Sequence, residues 1–352
     1  MRLPHHISHE PAAGDRGHAF GVAQRDAIAS TVRTYRRLLQ DVDLRAAGAA
    51  VADSLDPHHV DELEGMAAGA GQDVGDLLAV NARTELLAGE GRAECSVAGR
   101  LEGSEVTLAQ TWDWHPDLAP ARVLWTVNLA DGAWFTTATE AGILAKLGLN
   151  GYGVACALNL LGDPADGGTG GVPIHVLLRL VLERARDAAQ AVELLCGAGT
   201  TASSAVTVAS AGELVSVELA PGGAVLVRPD PDGWLVHTNH FLSRPVQGED
   251  EQGSRLRRAQ LLALLRAGVA PEAALASHLP SAEPVCRHGD PGVPWPDRIA
   301  TLLATRIDPA EPSFSLAAGP PCSAPFEPVP LSAAGARAPA RPPAPRPRAR
   351  AG

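Results

Sequence analysis

The chain is predicted to be an α+β protein of layered build, with antiparallel sheets and helices packed outside them. Three observations predict it. Helix-periodic sequence runs up to Leu87. Short alternating stretches with Asp-Gly and Asn-Gly punctuation follow Cys95. After them, helices and strands come in segregated blocks rather than in βαβ alternation. There is no internal repeat and no G-x-G-x-x-G, which weighs against a dinucleotide-binding fold.

The elements follow in order. Residues 17–46 carry apolar side chains at three- and four-residue intervals and read as helix. A second helical region from Pro57 to Leu87 is broken by AGAGQ, with Asp73 or Asp76 as its cap, and GEGR (89–92) closes the helical part. SVAG, VTLAQTWDW, VLWTVNLADGAWFTTAT and ILAKLGLNGYGVACALNLL read as successive strands. Pro173 to Leu195 reads as two helices meeting near Asp187. SSAVTVAS, ELVSVELA, AVLVRPD and WLVHTNHF return to strand, and SRLRRAQLLALLRAG is a charged helix. ATLLATRI and SFSLAAG are expected to be edge strands of the same sheets.

Composition narrows the function. With 352 residues, 45% of them apolar, the chain can bury a sizeable core. A formal charge of −11 argues against a nucleic-acid partner, since phosphate contacts need a basic face. Residues 331–352 are the exception. They carry five arginines from Arg337 to Arg350 among Pro and Ala, a mixture that builds no core and reads as a disordered tail. Five scattered cysteines with no C-x-x-C fit neither a disulfide framework nor a zinc-finger spacing, so no metal is expected. The N-terminus has no apolar signal region, and no uncharged run reaches membrane-spanning length. A soluble, cytoplasmic protein with no membrane partner is expected.

The chemistry centres on AECSVAGR, where helical sequence gives way to strand at a lone cysteine. A thiol of ordinary pKa, about 8.5, needs a base or a positive field to attack. A cut before Cys95 supplies both, because a free α-amine titrating near about 7.7–8 then sits on the same residue as the nucleophile. The thiol can make that cut itself by attacking the Glu94 carbonyl to give a thioester, which water hydrolyses. Asp113 lies on the paired strand of a predicted hairpin, sharing a face with Thr111 while Trp112 and Trp114 take the other. It is either an edge aspartate in solvent or the partner of a cation near Cys95. Asn239 suits an oxyanion donor or a bonded core amide. Asn159 is a second polar residue at a strand end, an oxyanion or substrate contact or else a turn former. Among Arg255, Arg257, Arg258 and Arg266, one arginine at the start of the charged helix can pair with Asp113.

Taken together, DRGHAFG (15–21), residues 61–87, ECS (94–96), AQTWDW (109–114), GLNGYGVACALNLL (148–161), GVPIHVLLRLVLE (171–183), SSAVTVAS (203–210), HTNHF (237–241), SRLRR (254–258) and AAGPPC (317–322) resemble a known family. It is the autoproteolytic acyltransferase/hydrolase family of the acyl-CoA:6-aminopenicillanic acid acyltransferase type, among the N-terminal nucleophile hydrolases. The resemblance implies a four-layer αββα sandwich and a precursor cut between Glu94 and Cys95. Residues 1–94 become a helical pro-segment or small subunit, held as a heterodimer to a catalytic domain over 95–330. It implies Cys95 as nucleophile, Asp113 as acidic partner, Asn239 as oxyanion residue and Arg255, beside Ser254, as arginine partner. Asn159, Ser96 and Ser254 are weaker substrate or oxyanion candidates. Glu94 stands where the penicillin enzyme has glycine, and Thr111 where many relatives have asparagine.

The expected activity is therefore acyl transfer or amide hydrolysis through a thioester acyl-enzyme, without a cofactor. The substrate is a small acyl donor, acyl-CoA among them, with an amine acceptor where transfer occurs. Two rival readings remain: an uncleaved cysteine hydrolase using His237 or His240 as base, and a catalytically inactive binding scaffold.

Overall fold

Glycine decides the first close contact. Helix α1 (Ala13–Ala23) crosses α4 (Pro57–Ala70) so tightly that a Cβ on Gly17 would run into the Glu62 carbonyl, and one on Gly65 into the Gly14 carbonyl. The helical region predicted over 17–46 is three helices: α1, α2 (Arg25–Leu38) and α3 (Leu44–Ala52). Gly71, with a φ of 68°, ends α4, and Asp73 caps α5 (Val74–Asn81) by accepting from the Gly75 amide. A single turn, α6 (Arg83–Leu86), follows. The computed structural model describes residues 3–88, 95–246, 252–278 and 283–331. Glu94 and residues 332–352 lie outside the described residues, and so do the expectations of a cleavable 94–95 bond and of a disordered tail.

Two sheets follow. The first has eight strands in the order β1-β4-β5-β6-β7-β8-β9-β10. These are β1 (His5–Ser8), β4 (Arg122–Asn128), β5 (Trp134–Glu140), β6 (Leu147–Asn150), β7 (Ala155–Leu160), β8 (Ser204–Ser210), β9 (Glu213–Ala220) and β10 (Gly223–Val227). The second has six in the order β11-β2-β3-β12-β13-β14. They are β11 (Trp234–His237), β2 (Ser96–Glu102), β3 (Glu105–Trp114), β12 (Ala300–Asp308), β13 (Ser313–Ala317) and β14 (Phe326–Pro328). Alternating side chains bury Val97, Leu108 and Trp112 of the second sheet with Leu149, Ala157 and Leu214 of the first in one inter-sheet core.

Helices α7 (Ile174–Arg184) and α8 (Ala188–Gly197) cover the outer face of the first sheet, together with the N-terminal helices. Asp187 caps α8 by accepting from the Gln190 amide, at the predicted break. On the far side, α9 (Gln252–Arg266) and α10 (Pro271–Leu275) pack on β11, β2, β3 and β12. The result is a four-layer αββα sandwich. Among the described residues, no helix is long and apolar enough to cross a membrane.

Several expectations are corrected. The segment before Cys95 is not wholly helical, because His5–Ser8 pairs in parallel with Leu124–Val127, so the first sheet is not purely antiparallel. Neither ATLLATRI nor SFSLAAG is an edge strand: β12 lies between β3 and β13, and β13 between β12 and β14. WLVHTNHF leaves the sheet at His237, so face alternation says nothing about Thr238 to Phe241. In ILAKLGLN only Leu147–Asn150 is strand.

Buried charges tie residues 3–88 to the rest. The Glu62 carboxylate takes Arg16 and, with two bonds of 2.8 and 3.0 Å, Arg179 of α7. Tyr35 Oη donates to Glu140 Oε2 at 2.9 Å, and Asn81 donates to Gly142 O and accepts from the Leu144 amide. Groups buried this deeply stay only when paired.

Candidate active site

Cys95 is the last residue before β2, and the first pair of the β2–β3 ladder is Ser96 with Thr111. The register sets Cys95 beside Asp113, and Sγ lies 3.8 Å from the Asp113 carbonyl oxygen. Thr111 serves both strands: its Oγ1 accepts from the Ser96 amide at 3.2 Å and donates to Asp113 Oδ2 at 3.2 Å. Asp113 is 1% exposed. The solvent-exposed edge position is therefore excluded, because β12 covers the strand and pairs Thr301 with Asp113.

Asn159, at the end of β7 in the facing sheet, donates through Nδ2 to the Cys95 carbonyl at 2.9 Å and reaches the His237 carbonyl at 3.4 Å. It thus spans the two sheets at the candidate nucleophile and is no turn former. Asn239 donates through Nδ2 to Leu160 O at 2.9 Å, while its Oδ1 accepts from Arg257 Nη2 at 2.8 Å. Arginine can only donate, so this bond fixes which end of the amide is oxygen and turns the NH2 toward Leu160. Ser254 Oγ accepts from the Asn239 amide at 2.8 Å and also contacts Thr238 and His240. The Ser96 hydroxyl is buried with no hydrogen-bond partner among the described residues.

The arginine at this site is Arg257, not Arg255. On α9 the buried positions are Ser254, Arg257, Gln260, Leu261 and Leu265, whereas Arg255 lies on the exposed face. Three residues after Ser254, Arg257 returns to the same side of the helix; one residue after it, Arg255 points about 100° away. Burial pulls Arg257 below its ordinary value, against the Asp113 and Cys95 charges, which raise it.

Cys95 opens on a narrow cavity walled by Trp112, Trp114, Leu158 and Leu160, which Arg83 and Lys146 also line. These two cations were not read from the sequence. Arg83 comes from α6, stacks over Trp114 at 4.4 Å and is 2% exposed. Lys146 sits 3.9 Å over the Trp112 ring and donates to Glu140 Oε1 at 2.9 Å. Burial pulls Lys146 down to about 7, helped by Arg83 and opposed by Glu140. Burial likewise pushes Asp113 up to about 7, against Thr301, Arg257 and Thr111. Burial and the Asp113 charge push the Cys95 thiol up to about 11, with Lys146 and Arg83 pulling the other way. A thiol held there is protonated at neutral pH, and added positive charge nearby would raise its thiolate fraction.

The two candidate histidines are held by other partners. Both ring nitrogens of His237 are committed, Nε2 to Glu218 Oε1 at 2.9 Å and Nδ1 to Thr238 O at 2.8 Å. His240 is held at Nδ1 by Ser254, and burial followed by the neighbouring Arg255 charge pulls it down to about 3.

Behind the cavity, Glu85 accepts from the Ile174 amide at 2.8 Å, and burial pushes it up to about 7. The folded state holds this proton to about pH 7, while the unfolded chain releases it near 4.5. Its stabilisation is complete below 4.5 and lost as pH rises through 7. Glu85→Gln is expected to shrink the stability difference between pH 5 and pH 8 by about 2–3 kcal/mol at most. Urea unfolding at the two pH values measures it, and equal differences in variant and parent refute the assignment.

Residues 100–319 match the family model described as acyl-coenzyme A:6-aminopenicillanic acid acyl-transferase. Over 188 residues the chain is 30% identical to the 40 kDa form of acyl-coenzyme A:6-aminopenicillanic-acid-acyltransferase from Emericella nidulans. That match covers 53% of this chain and 52% of the relative, so the chain spans about half the length of that curated protein. Among solved structures, a penicillin V acylase from Agrobacterium tumefaciens aligns with 15% identity and a TM-score of 0.39, over 64% of this chain and 82% of that one. A mutant conjugated bile acid hydrolase from Clostridium perfringens aligns with 11% identity and a TM-score of 0.38, over 62% and 88%. The family match takes in the Asp113 strand, Asn159, Asn239 and Arg257, and extends over well more than half of the sequence: the chain belongs to the acyl-coenzyme A:6-aminopenicillanic acid acyltransferase family.

Proposed function

We propose that the chain is an N-terminal-nucleophile acyltransferase or amide hydrolase that activates itself by cutting before Cys95. The observation that carries the reading is the meeting of Cys95, Asp113 and Asn159 at one cavity, while His237 is engaged at both ring nitrogens and His240 at Nδ1.

In maturation, Sγ attacks the Glu94 carbonyl, the Glu94–Cys95 C–N bond breaks and the α-amine is released. Water then hydrolyses the thioester, returning the thiol and leaving a carboxylate on Glu94. The new amine titrates near about 8 and, when protonated, adds the positive charge the thiol lacks. Residues 1–94 and 95–352 stay together as a heterodimer, tied by the buried Glu62–Arg179 and Tyr35–Glu140 contacts.

In turnover, the thiolate attacks the acyl carbonyl and its proton resides on the α-amine. The tetrahedral oxyanion is met by Asn239, whose orientation Arg257 fixes, and by backbone amides. The leaving amine or thiol takes the proton from the α-amine, and a thioester acyl-enzyme remains. Water completes hydrolysis; an amine acceptor completes transfer. Acyl-CoA and acyl amides are the donor classes the reading allows, and none of these steps calls for a cofactor.

Incubation with a panel of acyl-CoA and acyl-amide donors, quenched in acid, tests the proposal. The expected product is a Cys95 thioester on a fragment that begins at residue 95. Acylation of an intact 352-residue chain at Cys95 refutes the requirement for cutting, and no acylation by any donor favours the inactive scaffold.

A further inference from the structure

On the outer rim of the second sheet, far along the chain from Cys95, four soft side chains converge. His278 follows α10, Cys286 and His288 lie on the loop that leads to β12, and Cys322 lies in the turn after β13. Their ligand atoms all lie within 4.8 Å of one another. His288 Nε2 is 3.1 Å from His278 Nε2, 3.3 Å from Cys322 Sγ and 3.9 Å from Cys286 Sγ. We propose that these residues form a Cys2His2 site for a structural zinc ion.

The distances carry the argument. Zinc bonds of about 2.0 Å to nitrogen and about 2.3 Å to sulfur, set at tetrahedral angles, hold N···N at about 3.3 Å and N···S at about 3.5 Å. The observed separations straddle those values. A hydrogen bond between two imidazoles explains the 3.1 Å contact but not two sulfurs in the same small sphere, and both cysteines are free thiols. Two thiolates with two imidazoles, closing a tetrahedron with protein atoms alone, select zinc and leave no position for a substrate.

The backbone around the cluster shows what the ion secures. The Cys286 amide donates to Ser277 O, and the Ser323 and Ala324 amides donate to Pro320 O, closing the turn that presents Cys322. Between the two ligands of the loop, Arg287 exchanges hydrogen bonds with Thr301: its amide donates to Thr301 Oγ1 at 2.8 Å and its carbonyl accepts from the Thr301 amide at 3.0 Å. Thr301 is the residue paired with Asp113. The ion thus staples three separate stretches of chain at the back of the strand that supports Asp113, without touching the reacting atoms.

The test is elemental analysis of full-length protein purified in reductant without chelator or added metal, followed by incubation with zinc or cobalt(II) and gel filtration. One zinc per chain is expected, with the intense visible bands of tetrahedral cobalt thiolate after replacement. Cys286→Ser and Cys322→Ser are each expected to drop the bound metal to a small fraction of one, while Cys196→Ser, outside the cluster, keeps it. Stripping the parent with a strong chelator is expected to lower its melting temperature by several degrees. No stoichiometric uptake of either metal by the folded parent overturns the proposal. So does a non-reduced peptide map showing Cys286 joined to Cys322 by a disulfide.

Discussion

Cys95→Ala is expected to leave a single 352-residue chain and to reduce acyl release by at least about 10³-fold, the scale lost when a covalent nucleophile is removed. Stability should change little, because the substitution removes one atom from the core cluster and its one recorded hydrogen bond is long, 3.8 Å to a carbonyl. Denaturing mass analysis and acyl release should therefore change together. A variant still cut between 94 and 95 removes the thiol from maturation. A parent that is never cut yet turns over keeps Cys95 as nucleophile but removes the α-amine as base, and returns attention to a base supplied by another residue. Cys95→Ser is the informative intermediate: its less acidic hydroxyl should slow both events while leaving the geometry at Asp113 and Asn159 intact.

The second large effect separates two arginines two residues apart. Arg257→Met is expected to cost about 10²–10³-fold in kcat, the scale of a lost oxyanion donor, because the Asn239 side chain then loses the partner of its oxygen and keeps only its bond to Leu160 O. It should also move the acid limb of the pH profile, since the Arg257 charge is one of the groups holding Asp113 down against burial. Arg255→Met, on the exposed face of the same helix, should stay within about twofold. Equal losses in the two variants, or a larger loss at position 255, sink the assignment of Arg257. The methionine keeps much of the arginine stem's volume, so a collapsed fold is not the expected cause, and matching melting curves check that.

How far the sequence carried differs from residue to residue. Cys95, Asp113 and Asn159 were legible because each breaks a local pattern: a thiol at a helix-to-strand change, a charge between tryptophans, an amide ending an apolar run. Arg257 stood among four candidate arginines, and the resemblance implied Arg255 instead; helix periodicity from Ser254 separates them, since 254, 257, 261 and 265 all lie on the buried side. Arg83, Lys146 and Glu140 had no such signal. They come from α6, the end of β5 and the loop that leads to β6, and their meeting depends on how the N-terminal helices sit on the first sheet. His5–Ser8 was missed because four residues, two of them histidines, are too short a run to show alternation. The His278–Cys322 cluster was invisible for a related reason. Its ligands are gathered by folding from positions with no repeated interval, so the search for C-x-x-C and related spacings passed over it.

The strand at His5–Ser8 has one more implication, for the life of the molecule after processing. It supplies an outer β-ribbon, and Glu62 supplies the counter-ion of an interior Arg179, both from the piece that a cut at residue 94 sets free. If the proposed cut is made, the folded shape is completed before it and is not rebuilt as easily after it. The uncut Cys95→Ala chain should recover its shape on dilution from denaturant, whereas the processed pair, once parted, has to find its other half by diffusion and should recover poorly at low concentration. Heat would then destroy the mature enzyme permanently but its precursor only for as long as the heating lasts.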